Sequence, residues 1–434
     1  MRAEVRRILK EMKSFLTTVV SKPEEYFTTP KAFTRNRKLS LNNLCVFVLG
    51  NLKRSLSVEL VDYFTRLKAP FCSKSALSKA RYLLDRSLFS DWNKLFVEKR
   101  YDSPQKLLRW KGFFLKAIDG STIALPDNDE LAKEFGTQSN QHKSVPMARV
   151  GLEFDVLNKY CTAACLQHFS IGENKFATEF LSNSRKDDLR LYDRYFASFH
   201  FIYRHLASKV GFVMRCKLDF NKTVIDFVAS GKEQAIVTFP ITDTALKSLR
   251  ADEFDVDKQT TVKVRLVRVD IGGTESEILI TSLLDEVRYK HTCFKELYFM
   301  RWGVETQYDK LKNKFQIAAF TGHKPEAIYQ DFYATIIAAN IQNLVCKECS
   351  GKLESINKGR EVLVNINQNV SIGLLKPRLM FLFIGNKVAS VFDELMDLFL
   401  LHLELIRPER AYPRTKTVRL KGKYRTYKNY RRAH

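Results

Sequence analysis

The sequence contains no run of about eighteen apolar residues, which is the length that a membrane-spanning helix needs. Its first segment, MRAEVRRILKEMKSFL, mixes acidic and basic side chains and lacks the apolar stretch of a secretory signal. A protein that lies on a membrane surface would need a long basic amphipathic helix, and no convincing one is present. We therefore expect a soluble cytoplasmic protein with no membrane partner.

The sequence also lacks the cysteine pattern of a disulfide framework or of a zinc finger. Its eight cysteines are scattered over 434 residues, which favours reduced thiols. Cys346 and Cys349 form one CxxC pair, but no second pair and no histidine pair lies at the spacing that completes four zinc ligands. We therefore do not expect a structural zinc, and we interpret these two thiols as helix-end residues.

Acidic residues are too few to balance the basic ones. The chain has 72 Lys and Arg against 48 Asp and Glu, a formal net charge of +24. Such a surface attracts polyanions, with nucleic acid the first candidate and an anionic membrane face the second. The length allows two or three domains, and the 45 % hydrophobic content is typical of a globular protein.

The texture of the sequence changes along the chain. It predicts five segments: a helical N-terminal region (1–105), the first part of an α/β domain (106–218), a β-rich insertion (219–284), the second part of the α/β domain (285–400) and a basic tail (401–434). From Arg407 onward the tail has one acid, Glu409, among many basic residues and tyrosines. This composition is typical of a segment that becomes ordered on a phosphate backbone.

Residues 74–96, KSALSKARYLLDRSLFSDWNKLF, contain two short amphipathic periods that follow serine-type helix caps. The pattern is compatible with a helix-turn-helix in which Lys74, Lys79 and Arg81 contact DNA. A solvated basic face would give the same pattern, so the alternative stays open.

Two aspartates follow apolar runs that predict β-strands. The run from Phe113 to Ile118 ends at Asp119, and the run in LRLYDRYF ends on Asp193, so each carboxylate is expected at the C-terminal end of its strand. A hairpin turning at Asn158-Lys159 lies between the two runs, and a helix (198–208) and a strand (211–218) follow. This order predicts a mixed α/β layer with helices packed against a sheet.

Four short runs rich in β-branched residues predict the strands of the insertion: 223–230, 234–241, 260–271 and 276–283. Beyond the insertion, the stretch YFMRWGVETQYDKLKNKF predicts a helix. At about 100° per residue, Tyr298, Arg301, Glu305 and Lys312 project within roughly 60° of one another, so this face is not expected to be a core stripe. Residues 325–345 are apolar on all sides and predict a buried supporting helix.

Asp119, Asp193 and Glu305 are the candidate catalytic residues and metal ligands. Three carboxylates brought together repel one another unless hard divalent cations lie among them, and ligation by oxygen alone suits Mg²⁺ or Mn²⁺. Two such ions about 3.5–4 Å apart can activate a water or a 3′-hydroxyl for phosphoryl displacement. Taken singly, each aspartate could equally be a turn or helix cap, and Glu305 a surface charge.

The remaining side chains of the helix suit a phosphate substrate. Arg301 and Lys312 would neutralise DNA phosphates near the carboxylates. Tyr298 would stack on a base or hydrogen-bond to a phosphate.

The spacing Y-x2-R-x3-E-x6-K, met at every interval from Tyr298 to Lys312, resembles the signature of DDE transposases of bacterial insertion sequences, the insertion sequence four family. AIDGSTIAL and YDRYF resemble the other two acidic blocks of that family, in the same order. The resemblance covers about residues 105 to 400. One position departs from it, because Tyr195 stands where the family usually has glycine after the Asp-Arg pair.

The resemblance implies an α/β fold, a ribonuclease-H-like mixed sheet core with a β-rich insertion, preceded by a helical N-terminal DNA-binding region. It implies that Asp119, Asp193 and Glu305 ligate Mg²⁺, for which Mn²⁺ can substitute, with two ions in the site. It also implies a set of DNA-binding residues: Tyr298, Arg301, Lys312 and Arg194.

The activity implied is transposition. Such an enzyme binds the terminal inverted repeats of its own element, cuts the DNA at the ends and joins the 3′-hydroxyls to target DNA. It would act as a homodimer on double-stranded DNA in the bacterial cytoplasm, associated with the nucleoid when bound. Two alternatives stay open: a metal-dependent nuclease that cuts without joining, and a DNA-binding relative without catalysis, against which the three intact carboxylates argue.

Overall fold

The structure, a computed structural model, describes residues 3–35, 38–103, 107–139, 144–270 and 276–406. The described residues form two compact units, the first within the segments Met1–Ser103, Ile123–Ala148 and Asp309–His434, the second within Pro104–Thr122 and Arg149–Tyr308. Among the described residues, no helix combines the length and apolar character that crossing a membrane requires. The predicted tail from residue 407 onward lies outside the described residues.

The N-terminal region is helical, as predicted. Its helices are α1 Ala3–Thr18, α2 Pro23–Tyr26, α3 Leu41–Leu49, α4 Leu56–Leu67, α5 Lys74–Arg81 and α6 Ser87–Tyr101. Ser40 and Ser73 cap α3 and α5 by accepting hydrogen bonds from the N–H groups of Asn43 and Ala76. The two helices expected within residues 74–96 are therefore present as α5 and the first part of α6.

Arg81 corrects one part of the helix-turn-helix prediction. Its side chain is buried and forms an ion pair with Asp331, with 2.9 Å between Nη2 and Oδ1. It also donates to the side chain of Gln330 and the carbonyl of Ala327, each at 2.8 Å. Because every part of the guanidinium is engaged inside the first unit, Arg81 is not available to contact DNA. Lys74 and Lys79 are exposed.

The middle of the chain alternates strands and helices. They are β1 Phe114–Ala124, α7 Asp129–Phe135, β2 Thr137–Ser139, β3 Ser144–Asp155, β4 Tyr160–His168, α8 Glu173–Ser182, β5 Asp188–Tyr192, α9 Phe199–Ala207, β6 Gly211–Cys216, α10 Lys222–Ala229, β7 Gln234–Pro240, α11 Asp243–Ala251, β8 Thr261–Val269 and β9 Glu277–Thr281. The predicted hairpin, helix and strand around residues 158–218 correspond to β3–β4, α9 and β6.

One mixed sheet contains all nine of these strands. Its order is β2-β3-β1-β5-β6-β9-β8-β7, and β4 pairs with the outer side of β3. Strands β1, β5 and β6 are parallel to one another, whereas β6, β9, β8 and β7 are antiparallel neighbours. The predicted mixed α/β layer is therefore confirmed.

Three of the four strands predicted for the insertion are present, and β9 pairs with β6, so they extend the same sheet. The fourth prediction is wrong, because residues 223–230 lie in helix α10. Asn221 caps this helix by accepting a hydrogen bond from the N–H of Val224, and Val224 and Phe227 are buried one turn apart. The cap and the helical spacing outweigh the β-branched composition. The domain boundaries at 105, 218, 284 and 400 stay predictions.

The segment that carries Glu305 is helical but not regular. It consists of α12 Phe294–Phe299, a 3-10 turn Met300–Trp302, α13 Gly303–Asp309 and a π-helical turn Lys310–Lys314. In the π turn, the N–H of Phe315 donates to the carbonyl of Lys310 at 3.0 Å, five residues back. The constant 100° rotation used to place Lys312 on the face of Glu305 therefore does not hold.

The rest of the first unit surrounds a long buried helix, as predicted from its all-round apolar sequence. The elements are α14 Pro325–Glu348, α15 Ser350–Asn357, β10 Val364–Ile366, α16 Gln368–Leu375, α17 Leu379–Phe383, α18 Val388–Leu401 and β11 Leu403–Leu405. Helix α14 packs against α3, α6 and α18, and β10 pairs with β11.

Candidate active site

Asp119 and Asp193 lie at matching positions on neighbouring parallel strands. Ala117 of β1 is in register with Leu191 of β5, and each aspartate follows two residues later. Strand β5 ends at Tyr192, so Asp193 stands at its C-terminal end, as predicted. Asp119 does not end its strand, because β1 continues to Ala124. The strand-end prediction for Asp119 is therefore wrong. The two aspartates nevertheless lie at the same end of the paired stretch of β1 and β5.

The surroundings of Asp119 favour its protonated form. Burial raises the pKa of Asp119 to about 7. The N–H of Gly120, 2.9 Å from Oδ1, and the guanidinium of Arg301 lower the pKa, whereas the carboxylates of Glu173 and Asp193 raise it. A buried carboxyl group with this pKa beside two other acidic side chains is typical of a functional site, and a cation would favour its ionised form.

Asp193 is held by the chain that follows it. The N–H of Tyr195 donates to Asp193 Oδ1 at 2.8 Å, while the side chains of Arg194 and Tyr195 are exposed. Tyr195 is not among the residues with a positive φ, so this position does not require a glycine. The departure from the family pattern at Tyr195 therefore causes no backbone strain.

Glu305 is engaged by Arg301. Arg301 Nη2 donates to Glu305 Oε1 at 2.8 Å, four residues along the helical segment. Arg301 is 7 % exposed, and its Nε–H is buried without an acceptor among the described residues. A buried donor without a partner is costly, and it is a feature that a ligand such as a phosphate oxygen would satisfy.

The donor set is chemically suited to a divalent cation, but its members are not gathered as ligands. Asp119, Asp193 and Glu305 offer only carboxylate oxygens, which suit Mg²⁺ or Mn²⁺. Within the described part of the chain, no three His, Cys, Asp or Glu side chains lie in an arrangement that could hold a metal ion. The structure brings Asp119 close enough to Asp193 for electrostatic coupling, while Glu305 is paired with Arg301.

Tyr298 is a core residue, contrary to the expectation for its helix face. It is 2 % exposed, and its hydroxyl donates to the carbonyl of Tyr192 at 3.2 Å. The guanidinium of Arg301 lies over its ring, 5.6 Å from the centroid. With this burial, stacking on a base is not available to Tyr298. Lys312 is half-buried in the π turn of the first unit.

Glu173 is a carboxylate of this site that the sequence does not reveal. It is the first residue of α8 and pairs with Arg149 at 3.3 Å. Burial raises its pKa, Arg149 opposes this shift and Asp193 adds to it. A Cβ at position 120 would overlap the Glu173 carboxylate, so the glycine after Asp119 leaves room for it. No spacing rule links residues 120 and 173, and only the fold brings them together.

Residues 115–341 match the model of a known family, described as the transposase DDE domain. The chain belongs to this family. The family prediction made from the tyrosine, arginine, glutamate and lysine spacing is therefore confirmed. The transposase is 24 % identical over 322 residues to transposase InsG of insertion sequence element IS4 from Escherichia coli K12, covering 71 % of this chain and 70 % of that protein.

A solved structure also resembles the transposase. It is the cryo-EM structure of the piggyBac transposase synaptic complex with hairpin DNA, with a TM-score of 0.42 and 11 % identity over 95 % of this chain and 86 % of that one. At this TM-score the likeness carries no inference. The family model identifies a DDE transposase, a class of protein that acts on DNA.

Proposed function

We propose that this transposase binds the terminal inverted repeats of its own insertion sequence, cuts the DNA at the repeat ends and joins the freed 3′-hydroxyls to target DNA. The observation that carries the proposal is the matched placement of Asp119 and Asp193 on adjacent parallel strands, with the pKa of Asp119 raised by burial to about 7. A buried carboxyl group whose pKa is raised in this way favours a nearby cation, because the cation stabilises the ionised form.

In this proposal, Asp119, Asp193 and Glu305 hold Mg²⁺, with Mn²⁺ able to substitute and two ions present. Bound there, the metal would supply Lewis-acid activation of the attacking oxygen and stabilise the leaving oxygen. To ligate the metal, Glu305 would have to give up its ion pair with Arg301. The Arg301 guanidinium, whose Nε–H lacks an acceptor among the described residues, would then bind a DNA phosphate. The exposed Arg194 and the half-buried Lys312 are the further DNA-binding residues of this proposal.

We propose a ribonuclease-H-like core in residues 106–218 and 285–400, and the strand order supports its first part. Strands β4, β3, β1, β5 and β6 lie side by side in that order, with a hairpin on one side of β1 and two parallel strands on the other. We propose that the protein acts in the cytoplasm as a homodimer on double-stranded DNA, because joining two element ends in one event requires both ends to be held together.

The N-terminal region supports a second contact with DNA. Residues of the first unit line a cavity of about 1280 Å³ that includes four basic side chains: Lys31, Arg35, Lys38 and Lys79. None of the described residues that line it is acidic. Such a cleft favours the phosphate backbone electrostatically. Lys74 lies on the same helix as Lys79 but does not line the cleft, so Lys79→Gln should weaken DNA binding more than the matched variant Lys74→Gln.

The deciding experiment is a Mg²⁺-dependent assay of the purified protein on labelled DNA that carries the inverted repeats flanking its gene, beside Asp119→Ala. Cuts at the repeat boundary that vanish in the variant, together with joined products, are expected. Cuts without joining would support the metal-dependent nuclease instead. Binding without cutting by either protein would support a DNA-binding relative that lacks catalysis.

A further inference from the structure

Two buried tyrosines of the Glu305 segment donate hydrogen bonds to the backbone of the strands that carry the aspartates. The hydroxyl of Tyr298 donates to the carbonyl of Tyr192, the residue before Asp193, at 3.2 Å. The hydroxyl of Tyr308 lies 2.9 Å from the carbonyl of Asp119 itself and 3.2 Å from that of Val150 on β3. Tyr298 precedes Glu305 in the sequence and Tyr308 follows it. Tyr298 therefore contacts the strand that ends before Asp193, and Tyr308 contacts the strand that carries Asp119.

The packing fixes both rings. Tyr298 is 2 % and Tyr308 7 % exposed, and both belong to the second unit together with Asp119 and Asp193. Burial raises the pKa of Tyr298 to about 12 and that of Tyr308 well above its ordinary value, so both hydroxyls remain donors at neutral pH. A phenylalanine at either position would fill the same space but would lose the hydrogen bond.

We propose that Tyr298 and Tyr308 are positioning residues that set Glu305 at a fixed place relative to Asp119 and Asp193. Tyr298 serves the reaction through the end of β5 and not through contact with DNA. This inference rests on the proposed metal-dependent cleavage at these three carboxylates. The helical segment between the two tyrosines carries Arg301 and Glu305, so loss of either hydroxyl contact would let the third carboxylate shift from the other two. Displacements of about 1 Å in a reacting constellation cost on the order of a hundredfold in rate.

The test uses the full-length protein and the variants Tyr298→Phe, Tyr308→Phe and the double variant. Tyr203→Phe is the matched control, because Tyr203 is a half-buried tyrosine of α9 in the same unit, with its ring against Phe254. The measurements are the cleavage rate on labelled end DNA, the Mg²⁺ concentration for half-maximal rate, the DNA affinity at several salt concentrations, and Mn²⁺ binding to the protein alone by calorimetry.

We expect Tyr298→Phe and Tyr308→Phe to cut about tenfold more slowly or worse, to require several-fold more Mg²⁺ and to bind Mn²⁺ more weakly. DNA affinity and its salt dependence should match the wild type, and Tyr203→Phe should match it in every measurement. A thermal melt identifies any variant that fails to fold. If Tyr308→Phe or the double variant fails to fold, the comparison of Tyr298→Phe with the wild type still tests the proposal.

Two results would overturn the inference. Weaker DNA binding with a shallower salt slope and an unchanged Mg²⁺ requirement in Tyr298→Phe would make Tyr298 a DNA contact. Unchanged Mg²⁺ and Mn²⁺ requirements in both single variants would make the hydroxyls irrelevant to the site. A wild-type protein that cuts no end DNA would contradict the proposed function instead, and the Mn²⁺ affinities would still decide the role of the tyrosines.

Discussion

Two arginine–carboxylate pairs of this transposase differ in how completely they are closed. Arg81 and Asp331, in the first unit, have side chains 3 % and 1 % exposed, and Arg81 finds acceptors on every side. Arg301 and Glu305, in the second unit, are 8 % and 42 % exposed, and the Nε–H of Arg301 lacks an acceptor among the described residues. We call Arg81–Asp331 the closed pair, because it is buried and fully hydrogen-bonded. We call Arg301–Glu305 the open pair, because Glu305 is partly exposed and the Nε–H of the arginine can donate to a ligand.

The carboxylates of the two regions respond to their surroundings in opposite ways. Burial alone would raise the pKa of Asp331, but Arg81 and Lys53 hold it below its ordinary value. Burial raises the pKa of Asp119 to about 7 despite the nearby Arg301. In a closed ion pair each charge offsets the desolvation cost of the other, whereas a carboxyl held in an unfavourable environment is available for a cation or a substrate.

The largest effect should come from Glu305→Gln. The variant keeps the size of the side chain but removes the charge of a proposed metal ligand, so end cleavage should fall by about a thousandfold or more. DNA binding should remain largely intact. Glu296→Gln, at an exposed position of α12, is the control and should cut at the wild-type rate. Loss of DNA binding in Glu305→Gln would show that the open pair is structural like the closed one.

Arg81→Ala should destabilise the first unit without a direct effect on chemistry. Removing Arg81 takes the ion-pair partner from the buried Asp331, a change that typically costs about 3–5 kcal/mol. The measurement is the free energy of unfolding, obtained by chemical denaturation and followed by the fluorescence of Trp92, which lies in the same unit. The other two tryptophans are first replaced by phenylalanine in both proteins. A loss below about 1 kcal/mol would mean that the buried pair contributes little.

Asp119 and Asp331 should affect the pH dependence of stability in opposite directions. The pKa of Asp119 is raised in the folded protein from 3.8 to about 7, so stability is lost as pH rises through this interval. Asp119→Asn should therefore raise the free energy of unfolding at pH 8 by up to about 4 kcal/mol in the absence of divalent ions, and the difference should vanish near pH 4. Asp331→Asn should destabilise at pH 8. The same sign for both variants would contradict the contrast.

The smallest effect is expected for Arg301, the arginine of the open pair. Arg301→Ala should weaken binding to end DNA about tenfold at low salt, because one phosphate contact is lost. The slope of log affinity against log salt should become shallower by about one. An unchanged slope would exclude a phosphate contact for Arg301.

The sequence predicts the sheet and the family better than it predicts the site. Periodicity and turn residues were sufficient to predict five features: β5, the β3–β4 hairpin, α9, β6 and α14. The exact spacing of the residues from Tyr298 to Lys312 was sufficient to predict the family. Local composition misled at residues 223–230, because a helix cap at Asn221 decides that segment. It also placed the end of β1 too early, because a charged residue and a glycine interrupt the apolar run although the strand continues.

The site depends on contacts that one-dimensional spacing does not contain. A regular helix puts Tyr298 beside Arg301 on an exposed face, but burial in the second unit turns its hydroxyl to the carbonyl of Tyr192. The same limit applies to Arg81, whose partner Asp331 lies 250 residues away in sequence. Glu173 joins Asp119 only because α8 begins beside β1 in the folded unit.

Gly120 has a consequence for the history of this protein. A side chain at position 120 would occupy the space of the Glu173 carboxylate, so it would force the Glu173 side chain to move from its place beside Asp119. Among diverging copies of the element, a chain that acquires alanine or serine at 120 should tolerate, or soon acquire, a shorter residue at 173. Covariation between a glycine on a strand and an acid on a helix would then be the trace of this shared space in sequences alone.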